Sequence, residues 1–143
     1  MELADARIHV RLKLAALWTA VMLLYAYNDL FLLYTPGALE GVMAGKMGAL
    51  PPTSQGLLFA FALSIAIPCL MIPMSLLLRA GAARWANIVV GAIYALMILG
   101  TLWGMWAFYI FLGLLEVAMT LAIVGLAWTW PRQAGDISGA PPG

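Results

Sequence analysis

The sequence predicts an all-α, integral membrane four-helix bundle with both termini cytoplasmic, and three observations carry that prediction. Of 143 residues, 65% are hydrophobic and only 9% are charged, where a soluble domain carries about 25% charged residues. The mean hydropathy is +1.01, and the apolar residues gather into four runs, each near the length of about 20 residues that a helix needs to cross a bilayer. The cations lie mostly to one side: of seven Lys and Arg, all but Lys46 fall on the side of the termini, which the positive-inside rule assigns to the cytoplasm. Backbone polar groups find no water in hydrocarbon, so helices are the economical way to build four such runs. One transmembrane domain is expected over residues 1–133, in a multi-pass protein of the bacterial inner (plasma) membrane.

The first span is expected from about Leu14 to Tyr34, preceded by Arg7, Arg11 and Lys13. A basic start and an apolar run also describe a secretory signal. This run is longer than an h-region of about 7–15 residues and contains Asp29, so it reads as a retained helix. The connection at 35–52, TPGALEGVMAGKMGALPP, is the longest and lies outside. Its Leu39, Val42, Met43 and Met47 are spaced like a short interfacial or re-entrant helix, and its glycines and prolines fit a plain connector equally well. The second span, Thr53 to Leu78, holds Pro68 and Pro73. Each proline lacks the N–H that would bond the carbonyl four residues earlier, so the backbone near Ser64 and Cys69 is expected to bend or loosen.

The third span is expected from Ala86 to Trp103, after Arg79 and Arg84, and the fourth from Ala107 to Trp128, before Arg132. Trp85, Trp128 and Trp130 fall at inner ends, and Tyr34, Trp103 and Trp106 at outer ends, where aromatic belts form. The tail 134–143, AGDISGAPPG, is small, polar and proline-rich, and is expected to be disordered. No internal repeat supports an inverted-repeat transporter within one chain.

Several function classes lose support at once. A formal net charge of +1 offers no basic field for nucleic acid. Cys69 and His9 are each the single residue of their type, so no disulfide, CxxC pair or cysteine metal cluster is available, and His9 lies outside the apolar runs where an axial haem ligand would sit. No HExxH, GxSxG, phosphate loop or intramembrane Ser–His dyad occurs. No catalytic residue and no metal ligand are assigned, and the cofactor is left undefined.

Chemistry is expected from polar residues on helix faces. Trp18, Met22, Tyr25 and Asp29 follow i, i+4, i+7, i+11 in the first span, and Tyr109, Gly113, Glu116 and Thr120 repeat the rhythm in the fourth. Asn87, Gly91, Tyr94 and Thr101 mark the third, and Ser64, Pro68 and Ser75 the second. Such stripes face one another, since lipid would leave them unpaired. At 1.5 Å per residue, Asp29 lies roughly 7–8 Å and Glu116 roughly 13 Å below the outer edge, close enough for tilt and side-chain reach to join them.

Glu116 and Asp29 are therefore the candidate ion- or proton-binding residues, with Tyr25, Asn28, Tyr94 and Tyr109 as supporting polar groups. No Lys or Arg is available at that depth, so a bound proton or cation is expected to neutralise the acid. Two plainer readings stand beside this one: Asp29 at the outer interface, and a neutral Glu116 that only ties two helices through a tyrosine. Trp18 and Met22 offer a face for a lipid- or quinone-sized ligand, although such residues more often pack. A small proton- or cation-linked transporter is the leading expectation, and four helices make a cramped pathway, so homo-oligomers are expected. A lipid- or quinone-binding accessory protein is the alternative.

VRLKLAALWTAVMLLYAYNDLFLLYTPG, GKMG, TSQGLL, AIPCLMIPMSLLL, RWANI and WAFYIFLGLLEVAMTLAIVGLAWTWPRQ together carry a resemblance. Across Val10 to Gln133 the chain resembles a family of small bacterial four-helix membrane proteins known only as a domain of unknown function. It is more loosely similar in size and topology to DoxX-like membrane proteins. The resemblance implies an architecture and no catalytic role to transfer.

Overall fold

The computed structural model describes residues 7–47 and 50–131. Five helices occur among them: α1 (Val10–Leu32), α2 (Ala38–Met43), α3 (Gln55–Leu77), α4 (Ala80–Thr101) and α5 (Ala107–Trp128). All but α2 are long and apolar enough to cross a membrane. The fourth expected span matches α5 at both ends. By contrast α1 starts at Val10 rather than Leu14, and α4 at Ala80 rather than Ala86. Hydropathy falls where the cations begin, but helix geometry does not, and Arg11 and Arg84 find partners on neighbouring helices.

Arg11 donates from Nη1 to the carbonyls of Leu76 and Leu78, and Arg84 donates from Nε to Ala127 and from Nη2 to Trp128. Each arginine thus covers the open carbonyls at the C-terminal end of a neighbouring helix, where a cation also complements the helix dipole. Arg11 also lies over the Trp130 ring, and Arg84 over Trp85. His9 Nδ1 accepts from the backbone N–H of Arg11 and caps α1, as Ser54 Oγ caps α3 by accepting from Leu57.

The four long helices run up and down in turn. α1 packs against α3 and α5, and α4 against the same two, so α1 and α4 stand on one diagonal of the bundle. Interior residues recur at steps of four and three: Leu14, Trp18 and Val21 in α1, Pro68, Met71 and Ser75 in α3, Ala83, Asn87, Gly91, Tyr94 and Ile98 in α4, and Gly113, Glu116, Thr120, Ile123 and Ala127 in α5. That spacing is the seam of an antiparallel four-helix bundle. The α4–α5 interface is tight because two glycines sit in it. A Cβ on Gly91 would meet Val124 Cγ2 at 2.9 Å and the Thr120 carbonyl oxygen at 3.4 Å, and one on Gly113 would collide with the Leu102 side chain.

The outer faces carry the opposite chemistry. Leu77, Leu96, Phe59 and Phe111 are all exposed. α2 does form inside the long connection, but Leu39, Val42 and Met43 are exposed and nothing in α2 is buried, so it does not dock on the bundle. The expected disordered tail, 134–143, and Arg132 lie outside the described residues.

Candidate functional site

Two polar clusters lie in the apolar interior. The first ties three helices. Trp18 Nε1 donates to Asn87 Oδ1 at 2.7 Å, Ser75 Oγ donates to the same oxygen at 3.2 Å and lies 2.7 Å from the Met71 carbonyl, and Asn87 Nδ2 donates to the Ala83 carbonyl at 2.7 Å. Trp18, Ser75 and Asn87 are all fully buried. Asn87 therefore joins α1 to α4 across the diagonal and to α3 alongside. The Trp18 ring meets Tyr94 edge-on, at a centroid distance of 6.3 Å.

Tyr94 completes a second repair. Its hydroxyl donates to the Ser64 carbonyl, which is the carbonyl that Pro68 leaves without its helical partner four residues on. The loosened turn expected at Ser64 is thus bonded by α4, and α3 continues unbroken through both prolines.

The second cluster contains Glu116, on the interior face of α5 near mid-helix and 1% exposed. Its side-chain partner is Asn28 of α1, 3% exposed, whose Nδ2 donates to Oε1 at 3.4 Å, the long end of the hydrogen-bond range. Thr120, one turn along, shares its hydroxyl between the Glu116 and Val117 backbone carbonyls and gives nothing to the carboxyl group. Asn28 Oδ1 is buried without a hydrogen-bond partner among the described residues. The described cations sit at helix ends or in the α2 connection, away from Glu116.

The remaining expected residues are distributed unevenly. Asp29 is exposed, while its neighbour Asn28 turns inward. Tyr25 and Tyr109 are half-buried, and neither hydroxyl takes part in a hydrogen bond among the described residues. Met22 is half-buried, and Trp18, the expected ligand face, is enclosed in the core with its N–H committed to Asn87. Trp18, Asn87 and Ser75 fall on interior stripes in the sequence, but no spacing there connects them. No group of three or more His, Cys, Asp or Glu that could hold a metal occurs among the described residues. Two open surface depressions lie away from Glu116: one of about 580 Å³ along Gln55, Phe59 and Ala62, and one of about 340 Å³ lined by Phe31, Tyr34, Trp106 and Phe108.

These features define a class: a four-helix bundle with an apolar exterior, helices long enough to cross a membrane, and a buried acid without a cation beside it among the described residues. The chain belongs to DUF6326, a family of unknown function, whose model matches residues 1–136. No curated protein and no solved structure matches the chain.

Proposed function

We propose that this chain is a multi-pass protein of the plasma membrane, in a bacterium the inner membrane, with both termini cytoplasmic. In this reading Glu116 binds and releases a proton or small cation as part of transport. One observation carries the proposal: Glu116 is 1% exposed and, among the described residues, has a single side-chain hydrogen bond, from a neutral amide. An ionised side chain within a membrane helix costs on the order of 2.5–3.5 kcal/mol even on lenient scales, and a chain that keeps one uses it or neutralises it. The orientation is supported by Arg11, Lys13, Arg79 and Arg84 at the bundle end where α1 begins and α5 ends, with Lys46 at the other. Asp29, exposed toward that other end, is an outer relay in this scheme. Transport through four helices requires a pathway between copies, so the working unit is a homo-oligomer.

The test is proton and cation flux into dye-loaded proteoliposomes. Glu116→Gln is expected to abolish a flux that the wild-type protein supports; equal flux in that variant rejects the acid as the carrier. A second reading draws on the groove of Phe31, Tyr34, Trp106 and Phe108, which suits the head of a lipid- or quinone-sized ligand. Copurified lipid or quinone lost with Trp106→Ala, together with absent flux, would favour it.

A further inference from the structure

The hydrogen-bond inventory of the second cluster is incomplete in one particular way. Asn28 brings an N–H donor and a carbonyl acceptor on the same planar amide. The donor meets Glu116 Oε1, the acceptor Oδ1 is buried with no partner, and Glu116 Oε2 has no hydrogen bond among the described residues. A carboxylate offers acceptors only, so it answers half of the amide. A carboxylic acid offers one acceptor and one O–H donor, in the same planar spacing as the amide. Rotating the amide by a half-turn would set Oδ1 against Oε1, acceptor to acceptor, and lose the one bond the carboxylate makes.

We infer that Asn28 and Glu116 form a cyclic amide–acid pair whose missing hydrogen is the bound ion, so that Glu116 takes a proton in preference to a metal cation and Asn28 is the residue that sets this selectivity. The inference rests on the reading of Glu116 as an ion-binding acid and narrows its substrate to a proton. Taking a proton from the water phase converts the carboxylate to an acid, whose O–H bonds Asn28 Oδ1 while Nδ2 keeps its bond to Oε1. Every buried polar atom of the two side chains then has a partner, as buried groups generally do. A hard metal cation needs about six oxygen ligands. Here an N–H already points at one carboxylate oxygen, and the Thr120 hydroxyl is committed to backbone.

The ionisable groups around this pair are few. Asp29 and Tyr25 come from α1, Tyr94 from α4 and Tyr109 from α5 itself. α3, diagonal to α5, offers only the exposed Cys69. All are acids, and none supplies a positive charge to stand in for the proton.

The experiment is infrared difference spectroscopy of the full chain in lipid bilayers, titrated in pH and, separately, in sodium, potassium and magnesium at fixed pH. A carboxylic C=O stretch that disappears in Glu116→Gln is expected. It should shift on exchange into D₂O, remain unchanged by each cation, and move to the higher, free-acid position in Asn28→Leu. The inference is overturned by loss of the band on adding a metal cation, by carboxylate bands alone across the titration, or by an unmoved band in Asn28→Leu. The cation arm uses wild-type protein, so it decides the question even if Asn28→Leu does not fold. Flux is a separate readout: a band that behaves as expected without any Glu116-dependent flux keeps the pair and removes the transport reading, and the reverse result keeps transport and removes the pair.

Discussion

Around Asn87, the buried donors and acceptors of Trp18, Ser75 and Asn87 meet one another or a helix carbonyl at 2.7–3.2 Å. Around Glu116, in the same bundle and at similar burial, one long contact of 3.4 Å joins two side chains and one buried oxygen has no partner. The first arrangement is what a structural cross-link requires, because an unsatisfied buried polar group costs about 1–3 kcal/mol. The second leaves such a group unsatisfied, and a bundle that needed only stability would be better served by leucine at both positions. A saturated cluster holds the helices; an unsaturated one has capacity left for a ligand.

The contrast is open to breaking at four places, and the largest expected effect lies in the saturated cluster. Asn87→Leu removes the shared acceptor and strands the Trp18 N–H, while the Ser75 hydroxyl keeps the Met71 carbonyl. A loss of about 2 kcal/mol follows from the cost of the stranded group, moderated by the modest worth of polar contacts in membranes. Unfolding in mixed micelles, followed by tryptophan fluorescence, measures it; an unchanged midpoint would mean that the cluster does not hold the bundle.

Tyr94→Phe should cost less, about 1 kcal/mol, since it removes one donor from the carbonyl freed by Pro68 and keeps the ring against Trp18. Amide hydrogen exchange should rise locally in the turn after Ser64. Protection equal to wild type in that turn would show that α3 needs no help there.

Glu116→Gln sharpens the comparison by its sign. A glutamine side chain presents one donor and one acceptor without needing a proton, so it can complete the pair with Asn28. The variant should be as stable as wild type or more stable by up to about 1 kcal/mol while losing flux. A destabilisation as large as that of Asn87→Leu would place both clusters in one structural class.

Much of this fold could be read from the sequence because lipid-compatible helices announce themselves by length and hydropathy alone. The end of α5 at Trp128 was fixed by the polar segment after it. The starts of α1 and α4 were not, since Arg11 and Arg84 look like boundaries until their carbonyl partners on other helices are known. The interior stripe of α1 departs by one position from its polar stripe for a related reason. Trp18, Met22, Tyr25 and Asp29 keep helical spacing, but so do Leu14, Trp18, Val21, Tyr25 and Asn28, and the two sets diverge by a full residue at the end. An uncharged leucine and valine carry no polar signal, so the polar stripe ends on Asp29, whereas the bundle seam runs through Asn28. The Asn87 cross-link depends on which helices stand on the diagonal, and no local pattern contains that.

The smallest expected effect tests that one-residue difference directly. A step of 100° around α1 separates Asn28 from Asp29, turning the amide to Glu116 and leaving the carboxylate exposed. Asp29→Asn keeps size and removes charge, so stability should change by no more than about 0.5 kcal/mol, as for most exposed positions. Flux separates the roles further. An outer relay would slow proton entry when neutralised, by a few-fold, while the Glu116 infrared band stays in place. A flux identical to wild type would confine the chemistry to Asn28 and Glu116, and a displaced band would mean that the exposed acid reaches the buried pair after all.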